Sequence, residues 1–426
     1  MNILLTVLLW VTYLLSLYMT IYWVIVFSKE KTLIKKDRKD KIKLKRFPLI
    51  SVIVPAYNEE STIIPVLNSI LELDYPKNKL EIIVVNDGST DNTKQKVDSF
   101  IKNANRNIKL IHKKNQGKAA ALNTGLEIAK GEFFACLDAD SFVDKNTLKK
   151  MLSLYEKETK DLAIITPAMK VKDPKSFTQK LQKLEYLVSL FIARLMSSID
   201  CIYVAPGPFS LYRTIIIRKL GGFDVTTLTE DQEIAYRSQK HNYKIKQCHD
   251  GYVYTIAPKS FRGLYKQRNR WLKGAIYNIM QYRDMLFNVK YGDFGLMQMA
   301  INMLAFFLCI TGLFFFSVYI LGPFLDFIRD LFILNFNLMP FIQAVMDFRF
   351  NIMRLSVENI VIVYFLFLIT FSVIYISHKN ANECFKKRNI FILILYLFVY
   401  YLAISFIVIM VFFEILLDKS HLWKHS

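Results

Sequence analysis

Cysteine is scarce in this chain: five in 426 residues, at Cys136, Cys201, Cys248, Cys309 and Cys384. The number is odd and the positions lie tens of residues apart, which excludes a disulfide framework and a CxxC metal site and leaves plain buried or lipid-facing thiols. Glycine (14) and proline (11) are also sparse, against 53% hydrophobic residues, so collagenous, low-complexity and disordered classes are excluded. Neither GxxxxGK[ST] nor GxGxxG occurs, so a bound phosphate would have to be neutralised by other groups. Charge is missing altogether from Met1 to Ser28.

That charge-free stretch, at about 1.5 Å per residue, makes a helix long enough to cross a hydrocarbon core of about 30 Å. A cleaved signal peptide would have a positive start, a shorter apolar core and a small-residue cleavage site, none of which is present. Ten Lys or Arg and three acidic residues follow between Lys29 and Arg46. By the positive-inside rule this end of a transmembrane helix (1–28) stays in the cytoplasm, and the basic linker (29–47) meets anionic lipid headgroups. The overall charge of +20 is then largely membrane electrostatics. Nucleic acid is not expected as a partner, because no aromatic stacking platform or reading helix accompanies the charge.

Residues 48–275 mix charge and apolar residues as a soluble domain does, and 276–293 read as an interfacial connection. Hydrophobicity returns over 294–426, with candidate spans at Phe294–Leu325, Asn359–Ser377 and Asn389–Phe413. Leu331–Met346, sixteen residues with Pro340, reads as a short interfacial or re-entrant piece. Lys386, Lys387 and Arg388 place the preceding loop in the cytoplasm. Charge leaves both sides open for the tail from Asp418 to Ser426.

Within the soluble part, Leu49–Pro55 (LISVIVP) and Leu80–Val85 are short apolar, β-branched runs, the pattern of buried parallel strands. Helical spacing follows each, over Ser61–Leu73 and Asp91–Ile101, so strand–helix repeats predict a doubly wound α/β sheet. Ligands in such sheets bind at the carboxyl ends of the strands. Three polar clusters sit there: Ala56-Tyr57-Asn58-Glu59, Asn86 to Asp91, and Asp138-Ala139-Asp140 after the strand Glu132–Leu137. Each by itself reads as a turn or helix cap. The Asp138/Asp140 pair, between apolar flanks, also suits one hard divalent cation and a diphosphate.

In order and spacing, VPAYNEE, VVNDGSTDNT, NQGKAAALNTG and CLDADS closely resemble the inverting family 2 glycosyltransferases of the A fold. The resemblance runs from about Leu49 to Ala275. It implies an α/β glycosyltransferase A fold, a doubly wound and mostly parallel sheet, joined to transmembrane α-helices. It also implies a nucleotide and donor site that includes Pro55, Tyr57, Glu59, Asp87 by the uridine, Lys118, and Asp138. Asp138 and Asp140 would form the DxD pair that holds Mg2+ or Mn2+. Thr229-Glu230-Asp231 matches the family's TED motif and makes Asp231 the expected general base; an ordinary Asp would suffice, since hydroxyl acidity rises as the bond forms. Read without the resemblance, Thr229 is a helix N-cap with acids in the first turn. Gln267-Arg268-Asn269-Arg270-Trp271 has the QxxRW pattern of processive synthases, which implies donor contacts from Gln267 and Arg270 and stacking of the acceptor sugar on Trp271. Without it, the basic, amphipathic segment Phe261–Lys273 is a membrane-surface anchor. Ala205 to Arg213 resembles the same synthases' acceptor stretch, implying acceptor contacts at Gly207 and Pro208, with the glycine admitting a close sugar. Phe177–Met196, with Gln182, Glu185 and Tyr186, suits an interface helix and a soluble core helix equally.

The resemblance therefore implies a multi-pass enzyme of the plasma membrane with its catalytic domain in the cytoplasm. It would transfer a sugar, with N-acetylglucosamine the first choice, from a UDP-sugar to a β-linked polysaccharide. The expected partners are the UDP-sugar donor, the polysaccharide acceptor, the lipid bilayer and, because few spans are available for a channel, a second copy or a small accessory subunit. Two rivals stay open: a non-processive transferase acting on a membrane lipid, and an inactive nucleotide-binding assembly factor.

Overall fold

The computed structural model describes residues 3–37, 44–103, 108–346, 357–383 and 390–417. Lys386–Arg388, Cys384, the tail from Asp418 and part of the basic linker lie outside them.

α1 (Ile3–Asp37) continues nine residues beyond Ser28. The soluble domain then alternates strand and helix: β1 (Ile50–Ala56), α2 (Ile63–Leu71), β2 (Leu80–Asp87), α3 (Thr93–Asn103), β3 (Ile108–Lys113), α4 (Lys118–Ile128), β4 (Phe133–Cys136), β5 (Ser141–Val143), α5 (Thr147–Tyr155) and β6 (Leu162–Val171). α6 (Phe177–Ser198), β7 (Leu211–Arg213), α7 (Thr214–Lys219), α8 (Glu230–Lys240), β8 (Lys244–Thr255) and α9 (Phe261–Gln281) complete it. The eight strands form one sheet in the order β3-β2-β1-β4-β7-β6-β8-β5. β3, β2, β1 and β4 are mutually parallel, whereas β7 runs antiparallel to both β4 and β6.

β1 is buried along its whole length, which is why its sequence is continuously apolar and does not alternate. Ile50, Val52 and Val54 join Val66, Leu67 and Val97 on one face, while Ile53 packs with Ile83, Val85 and Leu122 on the other. At about 1.5–3 kcal/mol per fully buried aliphatic side chain, these two layers hold the sheet's centre. Because β1, β2 and β4 are parallel, their carboxyl ends lie along one edge and deliver Tyr57, Asp87 and Asp138 to it together. Antiparallel β7 begins at that same edge, so the preceding turn brings Gly207 there as well.

Among the described residues, three helices are long and apolar enough to cross a membrane: Ile3–Lys29, Phe294–Ile333 and Ile390–Leu416. The expected span at 359–377 is helical as part of Val357–Asn380, with several side chains outside those described. Residues 331–346 form the end of the long helix, a turn and a short helix at Met339–Met346 that begins beside Pro340. α6 packs Phe191 and Leu195 against Val26 of α1, and Leu181 and Leu184 belong to a cluster with Leu393, Tyr396 and Tyr400, while it also packs on β6 and β8 of the sheet, so it touches both the apolar helices and the soluble core. Cys136, Cys201 and Cys248 are free and buried, and Cys309 is free and half-buried.

Candidate active site

At the end of β2, the buried Asp87 carboxylate accepts hydrogen bonds from the backbone N–H groups of Gln116 (3.1 Å) and Gly117 (2.8 Å), and Lys113 lies 3.1 Å away. A side chain at the end of β2 thereby holds the turn between β3 and α4. Gly117 takes φ +89° at that turn, a conformation that suits glycine alone, and α4 starts at Lys118, which points into the strand-end edge.

The Lys118 ammonium joins two motifs far apart in the chain. Its Nζ lies 2.6 Å from Asp138 and 3.0 Å from Glu230. Burial disfavours its charge, but the carboxylates of Asp138, Glu230 and Asp231 overcome that and hold its pKa well above the ordinary value. Burial likewise opposes ionisation of Glu230, yet Lys118 beside it brings the Glu230 pKa below the usual range. Gly207 leaves room for this contact, since a β-carbon there would sit 2.6 Å from Lys118 Nζ and 2.8 Å from Asp138 Oδ2. The close neighbours that account for the glycine in this structure are thus two protein side chains. Pro208 follows in the same turn, and Phe209, fully buried, takes a positive φ of 59°.

Asp140 is pushed up in pKa by burial and then by the charge of Asp138; Ser141 Oγ donates to its Oδ1 at 3.0 Å. Glu59, at the end of β1, is raised by burial and, further, by Asp140 and Asp138, which places all three acids within one electrostatic neighbourhood. Tyr57 is exposed beside it and Pro55 is buried within β1. Among the described residues no group of three or more His, Cys, Asp or Glu could hold a metal ion. The Asp138–Asp140 pair offers two carboxylate oxygen donors, with the charge of Asp140 opposed by burial and by Asp138, and such a donor set suits a hard divalent cation.

Asp231 lies in a more basic range than an ordinary Asp, although an ordinary one would suffice. Burial and then the neighbouring Glu230 carboxylate raise its pKa to about 6, with Lys118 and Arg270 pulling the other way. Thr229 is where the sequence predicts a helix N-cap, with acids in the first turn, but its hydroxyl bonds elsewhere. It stands at the N-cap position of α8 without a side-chain cap, and its hydroxyl instead accepts from Asn278 Nδ2 at 3.1 Å. α9 grips α8 there: Tyr282 donates to Glu233 at 2.6 Å, and Gly274 lies directly against Thr229.

Along α9, Gln267 accepts from Arg268 at 2.7 Å, Arg270 is exposed, and Trp271 is half-buried. The guanidinium of Arg268 stands 4.3 Å from the Trp271 ring and is paired with Glu185 of α6. The structure therefore brings Glu59, Lys118, Asp138, Asp140, Gly207 and Asp231 together, with the charge of Arg270 close enough to act on Glu230 and Asp231. Arg268, Asn278, Gly274 and the Glu230–Lys118 contact escaped sequence reasoning. The only signal among them is Gly274, a glycine inside a helix where it costs about 1 kcal/mol relative to alanine.

The profile of glycosyl transferase family 2 matches residues 51–221, a stretch that holds β1 to β4, the Asp138–Asp140 pair and the Gly207 turn. Residues 51–221 are a glycosyl transferase family 2 domain. Among curated proteins, poly-beta-1,6-N-acetyl-D-glucosamine synthase of Staphylococcus epidermidis is 32% identical over 270 residues, 61% of this chain and 63% of the relative. The enzyme of that name from Staphylococcus aureus is 31% identical over 265 residues, with the same coverage. The chain thus spans under two thirds of the length of these relatives. A mannosyltransferase from Pyrobaculum calidifontis, solved in complex with GDP-Man and Mn2+, superposes with a TM-score of 0.57 at 18% identity, over 96% of this chain and all of that one. The family 2 domain and its apolar helices share that overall fold.

Proposed function

We propose that the protein is a membrane-embedded, divalent-metal-dependent, inverting glycosyltransferase that takes a sugar from a UDP-sugar and adds it to a growing β-linked polysaccharide. N-acetylglucosamine is the proposed sugar, on the likeness to the two staphylococcal synthases. The single observation that carries the reading is Lys118, whose ammonium ties the Asp138 carboxylate to Glu230 and so sets Asp231 beside the DxD pair.

Asp231 accepts the proton of the acceptor hydroxyl as that oxygen attacks the anomeric carbon from the face opposite the diphosphate. A carboxylate with a pKa near 6 is ionised at neutral pH yet basic enough to share the proton in the transition state. Asp138 and Asp140 would hold Mg2+ or Mn2+, which when bound supplies positive charge to the leaving diphosphate. Lys118 and Arg270 add fixed positive charge on that side. Asp87, Pro55, Tyr57 and Glu59 line the nucleotide end, with Gln267 completing the donor contacts. Gly207, Pro208 and Trp271 receive the acceptor sugar. The domain works at the cytoplasmic face of the plasma membrane, next to anionic headgroups, and the polymer leaves through the apolar helices with a second copy or an accessory subunit.

The test is to incubate membranes with individual radiolabelled UDP-sugars and digest the retained product with linkage-specific glycosidases. High-mass polymer from UDP-N-acetylglucosamine that a β-1,6-specific enzyme degrades supports the proposal. Label extracted into organic solvent would instead identify a lipid acceptor, and an absence of UDP release with every sugar would indicate an inactive assembly factor.

A further inference from the structure

The helix Ile390–Leu416 is apolar enough to cross a bilayer, but its contacts set it apart from the other two candidates. A third of its most apolar stretch is buried inside the protein, against none for Ile3–Lys29 and 6% for Phe294–Ile333. Just before the helix, the chain is fastened to the soluble domain. Lys183 of α6 pairs with Glu383 at 2.9 Å, Lys170 of β6 donates to the Ala381 carbonyl at 2.6 Å, and Asn382 donates to Tyr252 of β8 at 3.0 Å. At mid-helix, Tyr400 donates to Glu185 at 2.7 Å.

The far end is fastened to the same domain. Glu414 receives Tyr265 (2.8 Å), Asn269 (2.9 Å) and Lys273 (2.6 Å), three residues at helical spacing on one face of α9. Lys273 is 1% exposed. A buried ammonium is tolerable only against a paired charge, so Glu414 cannot be drawn away across a membrane without stranding Lys273. Twenty-seven helical residues measure about 40 Å, and a spanning helix must put its ends on opposite sides of a hydrocarbon core of about 30 Å. A soluble domain occupies one side only.

We infer that Ile390–Leu416 does not complete a crossing: it lies in the membrane interface as a clasp on α6 and α9, and both of its ends face the side that holds the catalytic domain. The two faces of the helix agree with this. Leu393, Tyr396, Tyr400, Ile407, Val408 and Val411 turn inward, whereas Phe391, Phe398, Phe406 and Phe413 form an exposed stripe. The partner of that stripe is the acyl region of the leaflet next to the domain, which receives an apolar helix face at shallow depth.

The inference is independent of the reaction and is tested without an activity assay. In cells expressing the full chain with its native cysteines replaced, a membrane-impermeant maleimide is applied before and after permeabilisation to Leu417→Cys, with Lys160→Cys as the marker of the catalytic side. Labelling of Leu417→Cys only after permeabilisation, in step with Lys160→Cys, is expected; labelling in intact cells overturns the inference. Because cysteine replacement could impair folding, the native chain is also treated in membranes with a zero-length carbodiimide and analysed by mass spectrometry. A Lys273–Glu414 cross-link is expected alongside Lys183–Glu383. Recovery of the second without the first overturns the clasp.

Discussion

Gly274 of α9 lies against Thr229 so closely that a β-carbon at the glycine would overlap the threonine side chain. The glycine lets the helix that carries Arg270 and Trp271 press directly on the segment that carries Asp231, and Asn278, four residues on, completes the contact through the Thr229 hydroxyl. Gly274→Ala must therefore push α9 off α8. The expected cost is that of overpacking, about 1–3 kcal/mol, read as a lowered melting temperature in detergent. Transfer should fall further than stability accounts for, because the displaced parts are Asp231 and Trp271. A variant with wild-type turnover would show that the two helices need not touch.

The raised pKa of Asp231 gives a pH dependence with a definite sign. The group acts as the ionised base, so kcat/KM should be level above pH 7 and fall as pH drops through about 6, approaching tenfold per unit on the acid limb. Asp231→Asn should abolish incorporation at every pH while UDP binding persists, and binding is best followed by calorimetry. An acid limb that begins near pH 4 would mean that Asp231 titrates as an ordinary exposed carboxyl.

Much of this was legible beforehand, for physical reasons that differ by element. The runs at Leu49–Pro55 and Leu80–Val85 could be read as buried strands because a strand covered on both faces has no polar alternation to hide it. The strand-end acids could be placed because parallel strands deliver their carboxyl ends to one edge. The link through Lys118 was invisible, because Asp138 and Glu230 are 92 positions apart in the sequence and only the fold brings them to one ammonium. Thr229 was legible in part: it takes the cap position before acidic residues, but tertiary contact with Asn278 takes its hydroxyl away. Hydropathy marks Asn389–Phe413 as a candidate span, and the helix there is long and apolar enough to cross; its contacts with α6 and α9 were not legible, because apolar side chains that face protein count the same as those that face lipid.

Removing Lys118 should separate binding from assembly of the site. Lys118→Met leaves Glu230, only 8% exposed in its side chain, without its counter-charge. Stranding one member of a buried pair costs about 3–5 kcal/mol; the loss here should be smaller, because the Lys118 side chain keeps 31% of its exposure. Lys118→Met, Glu230→Gln removes the stranded charge and should recover most of the thermal stability but not the activity. Recovery of both would reduce Lys118 to a structural role.

Arg268 should prove as necessary as the neighbouring motif residues, for a different reason. Its guanidinium stands over the Trp271 ring at 4.3 Å, is tied to Glu185, and donates to Gln267 at 2.7 Å, so it fixes the orientation of the ring proposed to receive the acceptor. A cation over an indole contributes about 0.5–2 kcal/mol, while the planar fork that spans Glu185 and Gln267 cannot be reproduced by an ammonium. Arg268→Lys should therefore keep the charge, lose the fork, and raise the KM for added acceptor oligosaccharide several-fold while the KM for the UDP-sugar stays close to wild type. Arg270→Lys, whose charge acts beside Glu230 and Asp231, should show the reverse pattern, with kcat reduced most. Initial-rate kinetics with each substrate varied in turn distinguishes the two; equal loss of donor and acceptor binding in Arg268→Lys would mean that this residue supports the whole of α9 and not the ring.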